Sequence, residues 1–240
     1  MNIVLLTHQE LERGLERNDA RVTHILDVLR CGPDDWFDIG ILDGPRGKAR
    51  ISLLDNGRTS FDYELGTEPP ALYPVTLIVG MPRPQTARRI LREMTSMGVE
   101  SIWMAMTDRS EAGYATSKLW VTGEYKRHVM QGAEQAFCTR LPDVRRFDSL
   151  ADALTELQPD TDRVALDNYE GEAHLSSWRS SRPAAAVVLG AERGWTAAER
   201  DLLRTDGFGL FDLGERVLRV ETAAIAAVTI VLAALSIPSN

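Results

Sequence analysis

The sequence predicts an α/β domain built on a mostly parallel sheet, preceded by a small β-barrel domain. Three observations carry this prediction. Residues 1–68 hold short apolar runs separated by Asp-Gly and Asn-Gly pairs, a hairpin signal. Glu68-Pro69-Pro70 through Pro74 then reads as a linker, because consecutive prolines resist both helix and sheet. From Val75 onward, continuous apolar runs alternate with amphipathic stretches, as in strands that cross through helices to parallel neighbours.

The elements follow in order. Asp19–Arg30 has Val22, Ile25, Leu26 and Leu29 on one helical face. Trp36–Leu42 and Ala49–Leu54 read as strands, with turns at Asp43-Gly44 and Asp55-Asn56-Gly57. Val75–Val79 reads as a buried parallel strand, followed by a helix over Gln85–Met97 that Gly98 ends. Ser101–Met106 is the next strand, and Leu119–Thr139 a long helix that stops before Pro142. A short helix over Ser149–Leu157 and strands over Arg163–Asp167 and Ala184–Leu189 come next. Thr196–Asp206 is a helix with Thr196 as N-cap and Glu199 at the capping-box position. Phe208–Leu213 is a strand and Thr222–Leu235 a helix.

The chain has 240 residues, 44% of them hydrophobic, enough for one large domain or a medium domain with a small one. Cys31 and Cys138 lie far apart without CxxC spacing, which argues against a disulfide framework or zinc site and fits a reducing, cytoplasmic setting. His8, His24, His128 and His174 are scattered, so no metal is expected. Met1–Leu6 is apolar but short, lacks a basic lead and precedes polar residues, so no signal peptide is expected. Val220–Ile237 is Ala-rich, barely reaches spanning length and has no basic flank beyond Arg216 and Arg219. It reads as a buried helix, not a membrane span.

The net charge of −8 argues against a protein that coats nucleic acid non-specifically. The charge is uneven, however: −5 over residues 1–68, +4 over 81–146 and −7 over 147–240. Only the middle section offers an electrostatic footprint for phosphates, and a solvated helix face explains it equally well.

Two glycine-bearing loops follow strands and precede helices: Leu189-Gly190-Ala191-Glu192-Arg193-Gly194-Trp195, and Leu213 through Ala223. Ligands of open α/β sheets bind at the carboxyl ends of strands, where glycines let the backbone approach closely. The pair either clamps a flat cofactor or forms ordinary strand-to-helix turns. Neither loop is GxGxxG or a P-loop, which argues against a nicotinamide-dependent oxidoreductase or a nucleoside triphosphate site.

The residues of the second loop decide between these readings. Leu213-Gly214-Glu215-Arg216-Val217-Leu218-Arg219-Val220-Glu221-Thr222-Ala223 resembles the LGxRILRxETA motif of the RsmE family, the 16S rRNA (uracil-N3)-methyltransferases of the SPOUT class. Gly190-Ala191-Glu192-Arg193-Gly194-Trp195 is similar to the family's GPEGGF, departing at Ala191, Arg193 and Trp195. Thr107-Asp108-Arg109-Ser110 resembles its (S/T)xRS segment, Met94–Val99 its ATELGV helix end, and Gly132-Ala133-Glu134-Gln135 with Pro142 its EAxEQ…P helix. His24–Arg30 with Gly32 and Asp43-Gly44 resembles its HxxxVLR…G…DG start. Arg83 stands where the family usually has Lys, and Cys138 where it usually has Arg, with Arg140 two residues beyond.

The resemblance implies a PUA-like β-barrel RNA-binding domain over residues 1–68 and a SPOUT methyltransferase domain over 73–240 with a C-terminal trefoil knot. It implies S-adenosylmethionine as cofactor, rRNA of the small ribosomal subunit as partner, and a homodimer with no membrane or metal. Leu189, Gly190, Glu192, Gly194, Leu213, Gly214, Val217, Leu218 and Arg219 are the expected cofactor residues. Arg193 brings a long cation into a loop expected to lie against the cofactor. Uracil N3 must lose a proton before it attacks a methyl group, and negative charge then spreads to the flanking carbonyl oxygens. Arg109 and Arg219 are the candidates to hold that charge. Glu221 either orients one of them, accepts the proton, or forms a helix-start ion pair with Arg219. Trp195 either offers a stacking face to the target base or packs behind the loop. Arg30, Arg83, Arg88, Arg89, Arg92, Arg109, Gln135 and Arg140 are the RNA-binding candidates, with Lys126, Arg127, Arg145 and Arg146 as further phosphate contacts. Two alternatives stay open: a SPOUT RNA methyltransferase with a different target, and a non-catalytic RNA-binding or ribosome-assembly homologue.

Overall fold

The computed structural model of the chain describes residues 3–54 and 57–235. The Asp55-Asn56 turn and the end of the Val220–Ile237 segment lie outside them. The chain forms two compact units, Met1–Ala71 with Met130–Leu141, and Leu72–Val129 with Pro142–Asn240.

The first unit is built on a five-stranded sheet. Its elements are β1 (Val4–Leu6), α1 (His8–Arg13), β2 (Leu15–Glu16), α2 (Ala20–Thr23), β3 (Phe37–Ile41), β4 (Arg46–Leu54) and β5 (Arg58–Thr67). The strand order is β1-β3-β4-β5-β2, with β1 parallel to β3 and the other pairs antiparallel. The curled sheet makes a barrel-like layer around Val4, Leu6, Val22, Ile25, Ile39 and Ile51, all nearly or fully buried. The Asp43-Gly44 turn joins β3 to β4 as the hairpin signal predicted. The Asp19–Arg30 helix differs from expectation. Asp19 caps α2 through a bond to the Arg21 N–H at 2.8 Å, but α2 widens into a π-helical turn over His24–Val28. There the Leu29 N–H reaches back five residues to the His24 oxygen.

The second unit holds a seven-stranded, all-parallel sheet. It starts with β6 (Tyr73–Gly80), α3 (Pro84–Ser96), β7 (Val99–Ala105), α4 (Ala112–Ala115) and α5 (Lys118–Val121). α6 (Tyr125–Gln135) begins in this unit and ends in the first. The second unit resumes with β8 (Asp143–Phe147), α7 (Leu150–Thr155), β9 (Thr161–Leu166), β10 (Ala173–His174), β11 (Ala184–Leu189), α8 (Ala197–Thr205), β12 (Gly209–Asp212) and α9 (Val220–Ala234). The strand order is β10-β12-β9-β11-β6-β7-β8. Central strands such as β11 are buried on both faces, which explains their unbroken apolar runs.

Two expectations need correction. β6 begins inside the supposed linker, at Tyr73. Pro74 brings no N–H to the ladder, and the register with β7 slips between Tyr73 and Thr76. The single helix expected over Leu119–Thr139 is two helices. Gly123 breaks it with φ +73°, a conformation no helix interior admits. Among the described residues, no helix is long and apolar enough to cross a membrane, and no His, Cys, Asp or Glu cluster suits a metal ion.

Candidate methyl-donor pocket

β9, β11 and β12 are neighbours in the sheet and run parallel, so their carboxyl ends open on one edge. The turns leaving them enclose a cleft of about 640 Å³ including its open mouth. Leu166 to Asn168 supply one wall, Leu189 to Glu192 with Gly194 a second, and Phe211 to Gly214 with Arg216 to Leu218 a third. Val220 and Ala223 of α9 close it. Of the expected cofactor residues, Leu189, Gly190, Glu192, Gly194, Leu213, Gly214, Val217 and Leu218 line this cleft. Arg219 does not line it and sits beside it as the exposed N-cap of α9.

The loop after β11 is held from several sides. Trp195 is buried, and its indole N–H donates to the Leu166 oxygen at 2.9 Å, tying this loop to the neighbouring strand. Trp195 therefore packs behind the loop and offers no stacking face. Gly80, at the end of β6, lies so close that a Cβ there would stand 2.5 Å from the Ala191 nitrogen. Thr196 and Glu199 form the expected capping box, and the second Glu199 oxygen accepts the Asp108 N–H at 2.9 Å. Arg109 donates to the Arg193 main-chain oxygen at 2.6 Å. Glu192 accepts the Arg83 N–H at 3.1 Å.

The Arg193 side chain corrects an expectation. It stands clear of the cleft, exposed, with Nη2 3.7 Å from Glu111 Oε1. The cation leaves the pocket open because the side chain turns outward, toward an acidic partner on the segment before α4.

Sequence reasoning missed the β9 wall. Asp167 is almost fully buried and is bonded to Arg200 of α8. It also accepts the Tyr169 and Glu170 N–H groups at 2.7 and 3.3 Å. Burial alone would raise its pKa, but Arg200 and these two N–H groups hold the carboxyl below its usual range. A polar residue closing an apolar strand run at a sheet edge was the available signal. Its partner, 33 positions away, could not be read from spacing.

Glu221 does not pair with either arginine expected of it. It is nearly buried and pairs with Arg89 of α3 at 2.9 Å, not with Arg109 or Arg219. Arg219 makes no ion pair or side-chain hydrogen bond among the described residues, which leaves its guanidinium available beside the cleft. The RNA-binding candidates are divided between the two units. Arg30, Gln135 and Arg140 are exposed in the first unit, and Arg83, Arg88, Arg89, Arg92 and Arg109 belong to the second. Arg88 pairs with Glu124 at 3.0 Å and Arg92 with Glu93 at 3.2 Å, so part of the positive charge of the middle section is answered locally. Cys138 is buried, with its thiol 3.6 Å from the Arg140 oxygen, while the Arg140 side chain faces outward.

The carboxyl-edge cleft fits a nucleoside-sized ligand. Leu189, Leu213 and Leu218 can cover a flat ring, free main-chain groups of the turns can meet ring nitrogens, and carboxylates can meet hydroxyl or ammonium groups. Gly190 is part of the cradle, since a Cβ there would lie 3.0 Å from Gly194.

Comparison with known proteins agrees with this geometry. Residues 68–232 match the model of the RNA methyltransferase domain family. Ribosomal RNA small subunit methyltransferase E of Treponema pallidum is 36% identical over 97% of this chain and 91% of its own length. Enzyme E 1 of Borreliella burgdorferi is 29% identical over 95% of both chains. The crystal structure of ribosomal RNA small subunit methyltransferase E from Neisseria gonorrhoeae, bound to S-adenosyl methionine, superimposes with a TM-score of 0.77. It is 21% identical and covers 97% of both chains, a likeness of fold. A pocket at the carboxyl edge of a parallel sheet, walled by the motif loops, and a relative at this identity over nearly the whole length lead to one conclusion: the chain belongs to the ribosomal RNA small subunit methyltransferase E family.

Proposed function

We propose that this protein transfers a methyl group from S-adenosylmethionine to N3 of a uracil in 16S rRNA of the small ribosomal subunit. The observation that carries this reading is the cleft itself, because the loops that bear the family motifs are the ones that wall it. S-adenosylmethionine supplies an electrophilic methyl group on its sulfonium. The leucines would cover its adenine, and the turns after β9, β11 and β12 would hold its polar groups.

Arg219, exposed beside the cleft, would meet the carbonyl oxygens of an incoming uracil as N3 becomes nucleophilic. Arg109 acts one step away, by fixing the loop that carries Glu192. Residues 1–68 would serve as a PUA-like RNA-binding domain and 73–240 as the SPOUT domain, with a C-terminal trefoil knot, in a cytoplasmic homodimer. Exposed Arg30, Gln135 and Arg140 would contribute phosphate or base contacts from the first unit.

The test is a methylation assay on small subunits and free 16S rRNA that lack the modification, with the products digested to nucleosides and identified by mass. N3-methyluridine is the expected product, and Arg219→Ala should abolish it while the fold is kept. Another methylated nucleoside would assign a different target. No transfer, together with no heat on titration with S-adenosylmethionine, would mark a non-catalytic RNA-binding homologue.

A further inference from the structure

We propose that Glu192 is the group that takes the N3 proton of the target base. This rests on the reading above that a uracil N3 is the methyl acceptor. Three carboxylates line the cleft among the described residues: Asp167, Glu192 and Asp212. Asp167 is engaged by Arg200 and by two main-chain N–H groups. Asp212 folds back on its own turn, where Oδ1 accepts the Gly214 N–H at 2.7 Å. Glu192 is held through Oε1 alone, by the Arg83 N–H at 3.1 Å and with Arg83 Nε at 3.5 Å. Its Oε2 has no hydrogen bond among the described residues. The side chain is 30% exposed, which leaves the carboxylate within reach of a base entering the cleft. Glu221, the acid expected from its place in the motif, is instead tied to Arg89 outside the cleft.

The surroundings suit a held but reachable carboxylate. Arg83 faces it from the start of α3, and Tyr114 from α4, with Glu111 beside that phenol and paired to Arg193. Burial pushes the Tyr114 phenol up, and the Glu111 and Glu192 charges push it the same way against Arg83, which marks Glu192 as its neighbour. Arg109 and Arg193 fix the loop from outside. Asp167, Asp212 and Arg216 are the other charged groups of the cleft.

The step balances as follows. The N3–H proton passes to Glu192 Oε2, and the N3 electron pair forms a bond to the methyl carbon. The carbon–sulfur bond of the sulfonium breaks, and its electron pair stays on sulfur as a neutral thioether. Glu192 then returns the proton to solvent.

The test is Glu192→Gln in the full-length protein, with Asp212→Asn beside it. At pH 7 kcat for E192Q should fall about 100-fold, the usual scale for a lost general base. The Kd for S-adenosylmethionine by calorimetry should change far less than kcat, since the amide keeps an oxygen at the cleft wall. The deficit should shrink as pH rises toward the pKa of uracil N3, where the base ionises unaided. Glu192→Asp, which keeps the acid, should retain part of kcat and the wild-type pH profile. An equal loss at every pH, or a weakened Kd with kcat retained, would overturn the assignment. High-pH rescue in D212N and not in E192Q would move the role to Asp212. A wild-type protein that makes no N3-methyluridine would instead sink the underlying reading.

Discussion

Arg109 donates to the main-chain oxygen of Arg193 at 2.6 Å, and the Arg193 guanidinium reaches back to Glu111. The segment before α4 thus clasps the loop after β11 by two links, one to its backbone and one to its side chain. The first link fixes a wall of the pocket, while the second lies outside it in solvent. Arg109→Ala should therefore raise KM for S-adenosylmethionine by about tenfold, the loss of one charge-assisted hydrogen bond. kcat at saturating donor should change far less. A large fall in kcat with KM unchanged would mean that Arg109 touches the base instead. Arg193→Ala removes only an exposed ion pair, and its donor affinity should stay within about twofold of wild type. Steady-state kinetics at fixed RNA separates these outcomes.

The same loop is approached from below by β6. A Cβ at Gly80 would stand 2.5 Å from the Ala191 nitrogen and 3.0 Å from Thr107 Cγ2. The nearer atom is backbone, so no side-chain rotation relieves the clash. Gly80→Ala should cost about 1–3 kcal/mol of stability, as overpacking does. It should also push Ala191 toward the cleft and weaken S-adenosylmethionine binding at least about tenfold. Gly113→Ala is the control, because nothing lies within 4 Å of a Cβ there. Calorimetry on both variants checks this, and unchanged affinity in G80A would show that the loop can yield without disturbing the pocket.

How far these features were legible in the sequence depends on their range. Strand-to-helix alternation was readable because buried parallel strands carry unbroken apolar runs, as Ala184–Leu189 does with the predicted bounds. The Thr196–Glu199 capping box was readable because its signal spans four residues. β8 was not, since it is an edge strand whose Asp143, Arg145 and Arg146 mimic a loop. The motif loops were readable as cofactor walls through family resemblance, and their glycines alone left the matter open. Contacts between distant segments were invisible. Glu221 has Arg219 two positions away, yet its partner Arg89 lies 132 positions off. The outward turn of Arg193 depends on Glu111, which no spacing rule connects to it.

Asp167 and Arg200 give the last prediction, one of stability against pH. The pair is buried at the carboxyl end of β9, and the Asp167 pKa is lowered in the folded state. A carboxylate with a depressed folded pKa contributes stability that is fully present above its unfolded pKa. That contribution is lost as pH falls through the folded value. The unfolded pKa of an aspartate is about 3.9, so the contribution is complete above about pH 5 and fades in acid. Asp167→Asn removes the charge and leaves Arg200 buried with only the half-exposed Glu170, 3.5 Å away, to answer it. Breaking such a pair costs about 3–5 kcal/mol, and that difference from wild type is expected at pH 7. In strong acid the wild-type carboxyl is itself protonated and Arg200 is equally abandoned, so the difference should narrow toward zero. Urea unfolding followed through tryptophan fluorescence, at pH 7 and at successively lower pH, measures the gap. A gap that stays constant across this range would show that the ionised pair is not its source. Because Asp167 also fixes the Tyr169 and Glu170 turn beside the pocket, D167N should lose donor affinity at pH 7 even where it remains folded.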